Sequence, residues 1–239
     1  MPSWSVHLAV AKKVNKQLGL NEDLFLYGNL IPDVDKGTSI TRYAAHYYNE
    51  NLPFPTVPQE KMIDINKFLD IYKNKLNNPL ILGYYSHLLT DQFYNEKVYT
   101  TRWVQDDENN IVGIKFKNNK ILKIDIEDKK RLKRKYKHYD FELYGKYLFD
   151  YDLITIPTND KIIKDNIDFL DGKFLTDELV EYRLNYLKNG FSGFNKLNLK
   201  EKLFKHKYKL FTKEELDGIM NDCIDMIIKK IEEVGVNNE

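Results

Sequence analysis

The chain has 239 residues, 42% of them apolar and 13% aromatic, enough to bury a full core in one domain with insertions. Its 37 basic and 36 acidic side chains nearly cancel to a formal charge of +1, so no global field draws it to nucleic acid or anionic lipid, and its single cysteine, Cys223, excludes an intrachain disulfide framework or a CxxC metal site. The opening "MPSWSVHLAVAKKV" lacks the apolar core of a signal peptide, and no stretch reaches the roughly 18 apolar residues of a membrane span, so the chain reads as cytoplasmic.

In chain order, Ala9, Val10 and Val14, with Lys12, Lys13 and Lys16 between them, predict a first helix that Ser3 or Ser5 caps and Gly19 stops. His7 sits in its first turn. "NEDLFLYGNLIPDVDKGTS" predicts a short helix running into a loop, because Gly28 and Pro32 punctuate it and leave Asp33 in non-repetitive backbone. "NLPFPTVPQ", 51 to 59, holds three prolines and is extended or turning. Met62, Ile65, Phe68, Leu69 and Tyr72 mark a second long helix, about 60 to 77, and the Asn78-Pro79 pair starts a third that runs to about Asn95. Apolar residues surround nearly every face of that third helix, as in a helix buried mid-domain.

Residues 111 to 126 alternate apolar and polar around Asn118-Asn119, the pattern of a β-hairpin. The remainder reads as helical, at about 128 to 149, 160 to 171, 175 to 188 and 199 to 208, with a final helix from Thr212, where Thr212-x-x-Glu215 spells a capping box. The basic run "EDKKRLKRKYK", 127 to 137, reads as the solvated face of a helix. The expected fold is therefore mainly α with an inserted hairpin near 111 to 126. Residues 1 to 150 form its core, and the helices of 151 to 239 pack on the same domain.

"GYYSHLLTDQFYN", 83 to 95, places His87 and Asp91 one helical turn apart, where both reach a single cation. The same geometry also describes a core histidine hydrogen-bonded to its carboxylate partner. The other histidines extend the set: His7, His46 in "RYAAHYYNE", and His138 with Glu142, which repeat the His-x-x-x-acid spacing on what is expected to be a second buried helix, Asp140 being the alternative to Glu142. His206, among lysines, reads as a surface residue. Imidazoles and carboxylates without thiolate suit zinc or a similar first-row metal.

The ordered series Trp4-x-x-His7, "GNLIPD" ending at Asp33, His46, His87-x-x-x-Asp91 and His138-x-x-x-Glu142 resembles the zinc-dependent phospholipase C family, which shares its fold with the S1/P1 nucleases. The resemblance covers roughly residues 1 to 150. It implies a multi-helix bundle with a cleft holding up to three zinc ions. Asp33, His46, His87 and Asp91 match the four ligands of one ion; Asp91 would bridge to a second that also uses His7; His138 and Glu142 match two ligands of the third. The chain departs from the family in two places. Trp4 follows Met-Pro-Ser, so its amine is not a ligand, and no histidine lies between His87 and His138. One zinc site is then complete, with two or three as the upper range.

The implied activity is metal-dependent hydrolysis of a phosphoester by a metal-activated water, with Asp33, by family analogy, as general base. The substrate classes are a phosphodiester with an apolar arm, a phospholipid among them, or single-stranded nucleic acid cut as by a phosphodiesterase, with no stable nucleic-acid complex. The competing expectation is a helical protein without hydrolase activity that keeps one closed structural metal site, or none. Cys223 is expected to fill a gap between helices.

Overall fold

The computed structural model describes residues 2–33, 41–48, 63–108, 110–124, 133–155, 157 and 208–235. Most of them lie in seven α-helices, joined by one small antiparallel sheet. Helix α1, Trp4–Leu18, starts from Ser3 in extended backbone and ends at Gly19, whose φ of 67° supplies the left-handed turn that returns its N–H to Asn15 O. Helix α2, Glu22–Gly28, is capped by Asn21, whose side chain accepts the Leu24 N–H. A 3-10 turn, Ile31–Asp33, follows it, and then the short helix α3, Arg42–Ala45.

Helix α4, Ile65–Tyr72, passes into a 3-10 turn, Lys73–Lys75, so the second long helix is shorter than its apolar spacing predicts. Helix α5, Pro79–Arg102, begins as predicted, with Pro79 in its first turn and the Asn78 side chain accepting the Leu80 N–H. It continues past Asn95 because its last residue is held from afar: Arg102 donates to Leu210 O at 2.7 Å, pairs with Glu215 and lies 4.5 Å over the Phe211 ring. Every residue from 80 to 91 is buried, as expected of a helix enclosed on all sides.

Two glycines set how α5 meets α2. A methyl group at Gly28 would overlap the Leu80 carbonyl, and one at Gly83 would overlap the Phe25 carbonyl, so only hydrogen atoms let these backbones touch. This crossing carries Asn29, just after α2, to the side of His87.

The predicted hairpin, β2 (Ile111–Lys115) and β3 (Ile121–Lys123), is joined by β1 (Trp103–Gln105), which leaves α5 directly and pairs Trp103 with Ile114. The sheet thus has three strands in the order β1-β2-β3. β1 is too short to display an alternating pattern. A π-turn, Lys133–His138, leads into α6, Tyr139–Asp150, which packs on α1 where Gly145 meets Ser5. Asp140 on α6 accepts the N–H groups of Lys209 at 2.7 Å, Leu210 at 2.7 Å and Phe211 at 3.0 Å, and so fastens the segment entering the last helix.

That helix, α7 (Lys213–Glu233), has both bonds of the predicted capping box. It buries the stripe Leu216, Met220, Cys223, Ile227 and Ile231 against the core, with Cys223 fully enclosed as expected. No helix among the described residues is long and apolar enough to cross a membrane. The proline-rich stretch 51 to 59, the predicted helices at 160 to 171 and 175 to 188, the one predicted at 199 to 208 except its last residue, the first residues of the helix predicted from 128, and His206 lie outside the described residues.

Candidate metal centre

Four elements converge on one buried point. α5 presents His87 and Asp91 from successive turns, α1 presents His7 from its first turn, the 3-10 turn ends at Asp33, and His46 follows α3 directly. His7, His46, His87 and Asp91 are all 0% exposed, and the Asp33 side chain is 5% exposed. A polar set this size in a core requires partners for every member.

The partners of the ring nitrogens fix the tautomers. His87 Nδ1 lies 2.6 Å from Asn29 O, and His46 Nδ1 lies 3.0 Å from Arg42 O. A carbonyl oxygen only accepts, so both Nδ1 atoms carry the proton, and in the neutral rings both Nε2 atoms are lone pairs. Those two atoms face each other at 3.3 Å. Asp91 Oδ2 stands 3.5 Å from His46 Nε2 and 3.6 Å from His87 Nε2, and Asp33 Oδ1 stands 3.5 Å from His46 Nε2. A tetrahedral zinc site with bonds of about 2.0–2.2 Å has ligand atoms about 3.3–3.6 Å apart. His46, His87 and Asp91 offer ligand atoms that all lie within 4.8 Å of one another, and His7, Asp33 and His87 form a second such set, so His87 belongs to both.

His7 stands on the other side of Asp91. Its Nε2 is 3.2 Å from Asp91 Oδ1 without hydrogen-bond geometry, and neither ring nitrogen nor either Asp91 oxygen has a hydrogen-bond partner among the described residues. The His7 ring stacks on His87 at 4.1 Å. The two oxygens of Asp91 therefore serve different histidines: Oδ2 faces His46 and His87, Oδ1 faces His7.

The electrostatics follow from burial and these contacts. Burial, then the charge of His87, lowers the His7 pKa to about 4 and keeps the ring neutral at neutral pH. Burial opposes protonation of His87 too, but its close approach to the Asp91 carboxylate and the charge pairing between them outweigh that and raise its pKa. Burial likewise opposes charge on the carboxyls. His7 and His87 nonetheless hold Asp91 well below the usual carboxylate range, and His46, His87 and Arg42 do the same for Asp33.

His138 and Glu142 are not brought into this cluster. Both are exposed, which corrects the expectation of a second buried helix. The apolar residues Phe141, Tyr144 and Leu148 decide which side of α6 turns inward, and Asp140 goes in with them, as does Lys137 from the preceding π-turn. Asp140, the alternative to Glu142, is committed to the segment at Lys209–Phe211.

Two residues of the centre, Arg42 and Asn29, and one buried lysine beyond it, Lys137, were not singled out by sequence. Arg42, one turn before His46, brings Nη2 to 2.6 Å from Asp33 Oδ1 and 3.5 Å from His46 Nε2, with its side chain 34% exposed. Its four-residue separation from His46 was a readable signal. Asn29 acts through a backbone carbonyl, which no side-chain pattern reveals. Lys137 ends a run that reads as a solvated face, yet it is 2% exposed. A cavity of about 540 Å³ lined by Phe116, Lys117, Lys120, Tyr136 and Lys209, among others, lies against the hairpin and includes none of the clustered residues.

No protein-family profile, curated protein or solved structure matches the chain.

Proposed function

We propose that this chain is a zinc-dependent phosphoester hydrolase of phospholipase C type, built on a bundle like that of the phospholipase C and P1 nuclease fold. His46, His87, Asp33 and Asp91 would hold one ion, and His7 with Asp91 a second. The reading rests above all on Asp91, whose two oxygens face different histidines, as those of a carboxylate bridging a two-ion centre would. Zinc bound in such a set lowers the pKa of a coordinated water from 15.7 to about 7 and offsets charge on the phosphoryl oxygens.

The chain's own groups divide the remaining work. The carbonyls of Asn29 and Arg42 orient the two imidazoles so that their Nε2 lone pairs meet. Asp33 is the candidate general base, but the contacts that depress its pKa also make it a weak one while Arg42 stays on Oδ1. If the Arg42 side chain swings from Asp33 to a phosphoryl oxygen, it raises the basicity of the carboxylate and grips the substrate in one movement. Tyr43, 44% exposed and edge-on to Tyr48, offers an apolar rim for the arm of a phosphodiester, while Tyr47 and Tyr48 belong to the core.

A second reading has its own support. Arg42 and the complete burial of His46, His87 and Asp91 also describe a closed site, or a metal-free cluster in which His87 is the imidazolium. One experiment separates them. Zinc-loaded protein and its H87A and D91A variants are assayed on a chromogenic phosphodiester, phosphatidylcholine in mixed micelles and single-stranded DNA. Turnover of a phosphodiester that both variants lose supports the hydrolase; zinc binding without turnover of any of the three leaves the structural site.

A further inference from the structure

Arg42 touches one residue from each candidate set of ligands. Asp33 belongs to the set with His7 and His87, and His46 to the set with His87 and Asp91. Arg42 Nη2 donates to Asp33 Oδ1 at 2.6 Å and lies 3.5 Å from His46 Nε2. Those two acceptor atoms are themselves 3.5 Å apart, so a single nitrogen of the guanidinium lies against the edge that joins them.

The contact at His46 is exclusive. His46 Nδ1 directs its proton at the Arg42 carbonyl, which leaves Nε2 with the one lone pair of the ring. That lone pair accepts an N–H from Arg42 or binds a metal ion, and cannot do both. Asp33 is less strict, since each carboxylate oxygen has two acceptor positions. There the opposition is one of charge, because the guanidinium is always cationic and would stand beside a divalent ion on the same oxygen. The side chain also has somewhere to go: it is 34% exposed, whereas Asp33 is 5% and His46, His87 and Asp91 are 0% exposed.

We infer that Arg42 is a latch on the metal centre: its guanidinium engages the ligand atoms of Asp33 and His46, and a zinc ion reaches them only by displacing it toward solvent. The inference rests on the metal-centre reading and adds a regulation to it. Loading the centre and releasing Arg42 become one event, so the guanidinium turns toward an arriving anionic substrate only when the metal is in place. The latch is separable from the site it closes. The Arg42 backbone carbonyl orients His46 whatever side chain stands at position 42.

The test is the zinc affinity of the full chain at pH 7, measured by competition with a chromophoric chelator, for wild type, R42M and H87A, with thermal melts to confirm that each is folded. Arg42→Met keeps an apolar stem and removes the guanidinium. If it does not fold, Arg42→Gln replaces it, and His87→Gln replaces H87A on the same ground. R42M is expected to bind zinc about tenfold more tightly than wild type, the scale of one hydrogen bond to a charged group no longer broken on binding, and H87A far more weakly. Labelling of Arg42 by phenylglyoxal, read by peptide mass spectrometry, is expected to rise on zinc addition in wild type and to stay constant in H87A. Equal or weaker affinity in R42M, or labelling that zinc leaves unchanged or lowers, with H87A still defective, overturns the latch and leaves the metal centre standing. Identical binding by wild type and H87A removes the metal centre, and this inference with it.

Discussion

His87-x-x-x-Asp91 and His138-x-x-x-Glu142 are the same pattern in two parts of one chain, and the structure buries the first and exposes the second. The spacing guarantees that each pair shares a helix face; it does not say which way the face turns. On α5 the question does not arise, because residues 80 to 91 are enclosed on every side and Gly83 lets α2 press against the backbone. At α6 a single apolar stripe decides, and it turns Asp140, with Lys137 of the preceding π-turn, inward instead. A ligand pair is therefore credible in proportion to how completely its helix is buried.

That contrast is broken first at the glycines. Gly83→Ala drives a methyl into the Phe25 carbonyl and is expected to cost about 3 kcal/mol or more, whereas Gly145→Ala on α6 first meets the Ser3 and Ser5 side chains, at 2.9 to 3.0 Å, and is expected to cost about 1 kcal/mol. Urea unfolding of the two variants measures the gap.

Lys137 gives the next effect. Burial lowers its pKa from 10.5 to about 8, so between those values the unfolded chain binds a proton that the folded chain does not, and stability rises with pH across that window. Lys137→Met removes a penalty of about 3 kcal/mol that applies in full below pH 8. Its advantage over wild type in chemical denaturation is expected to be greatest at pH 7 and to vanish above pH 10.5.

Zinc sharpens the comparison directly. At a free zinc concentration about 100 times the dissociation constant, wild type gains about 2.7 kcal/mol. H138A and E142A are expected to keep that gain in thermal melts, and H87A and D91A to lose it. The smallest effect is Thr212→Ala, which removes the cap of α7, far from either pair, at about 1 kcal/mol.

Much of this was legible because it was local. Gly19, Asn78-Pro79, Asn118-Asn119 and Thr212-x-x-Glu215 act within a few residues, and each element they start, turn or stop stands where they place it. The residues that sequence did not reveal depend on distant partners. α5 runs on to Arg102 because Leu210, Phe211 and Glu215 hold it there, β1 exists because β2 is beside it, and the buried Lys137 ammonium finds its acceptor, Asn95, on α5. His7, Asp33, His46, His87 and Asp91 were all named from sequence. What lets contacts of 3.2 to 3.6 Å link them pair by pair is the Gly28–Gly83 crossing, which spacing alone does not disclose.

The most direct test of the central claim is metal content per chain, by elemental analysis of protein purified without added metal or a histidine tag, beside the D91A variant. A bridged centre predicts two zinc equivalents in wild type, lost together when Asp91 is removed. No bound metal in wild type, or the same content in D91A, would contradict it.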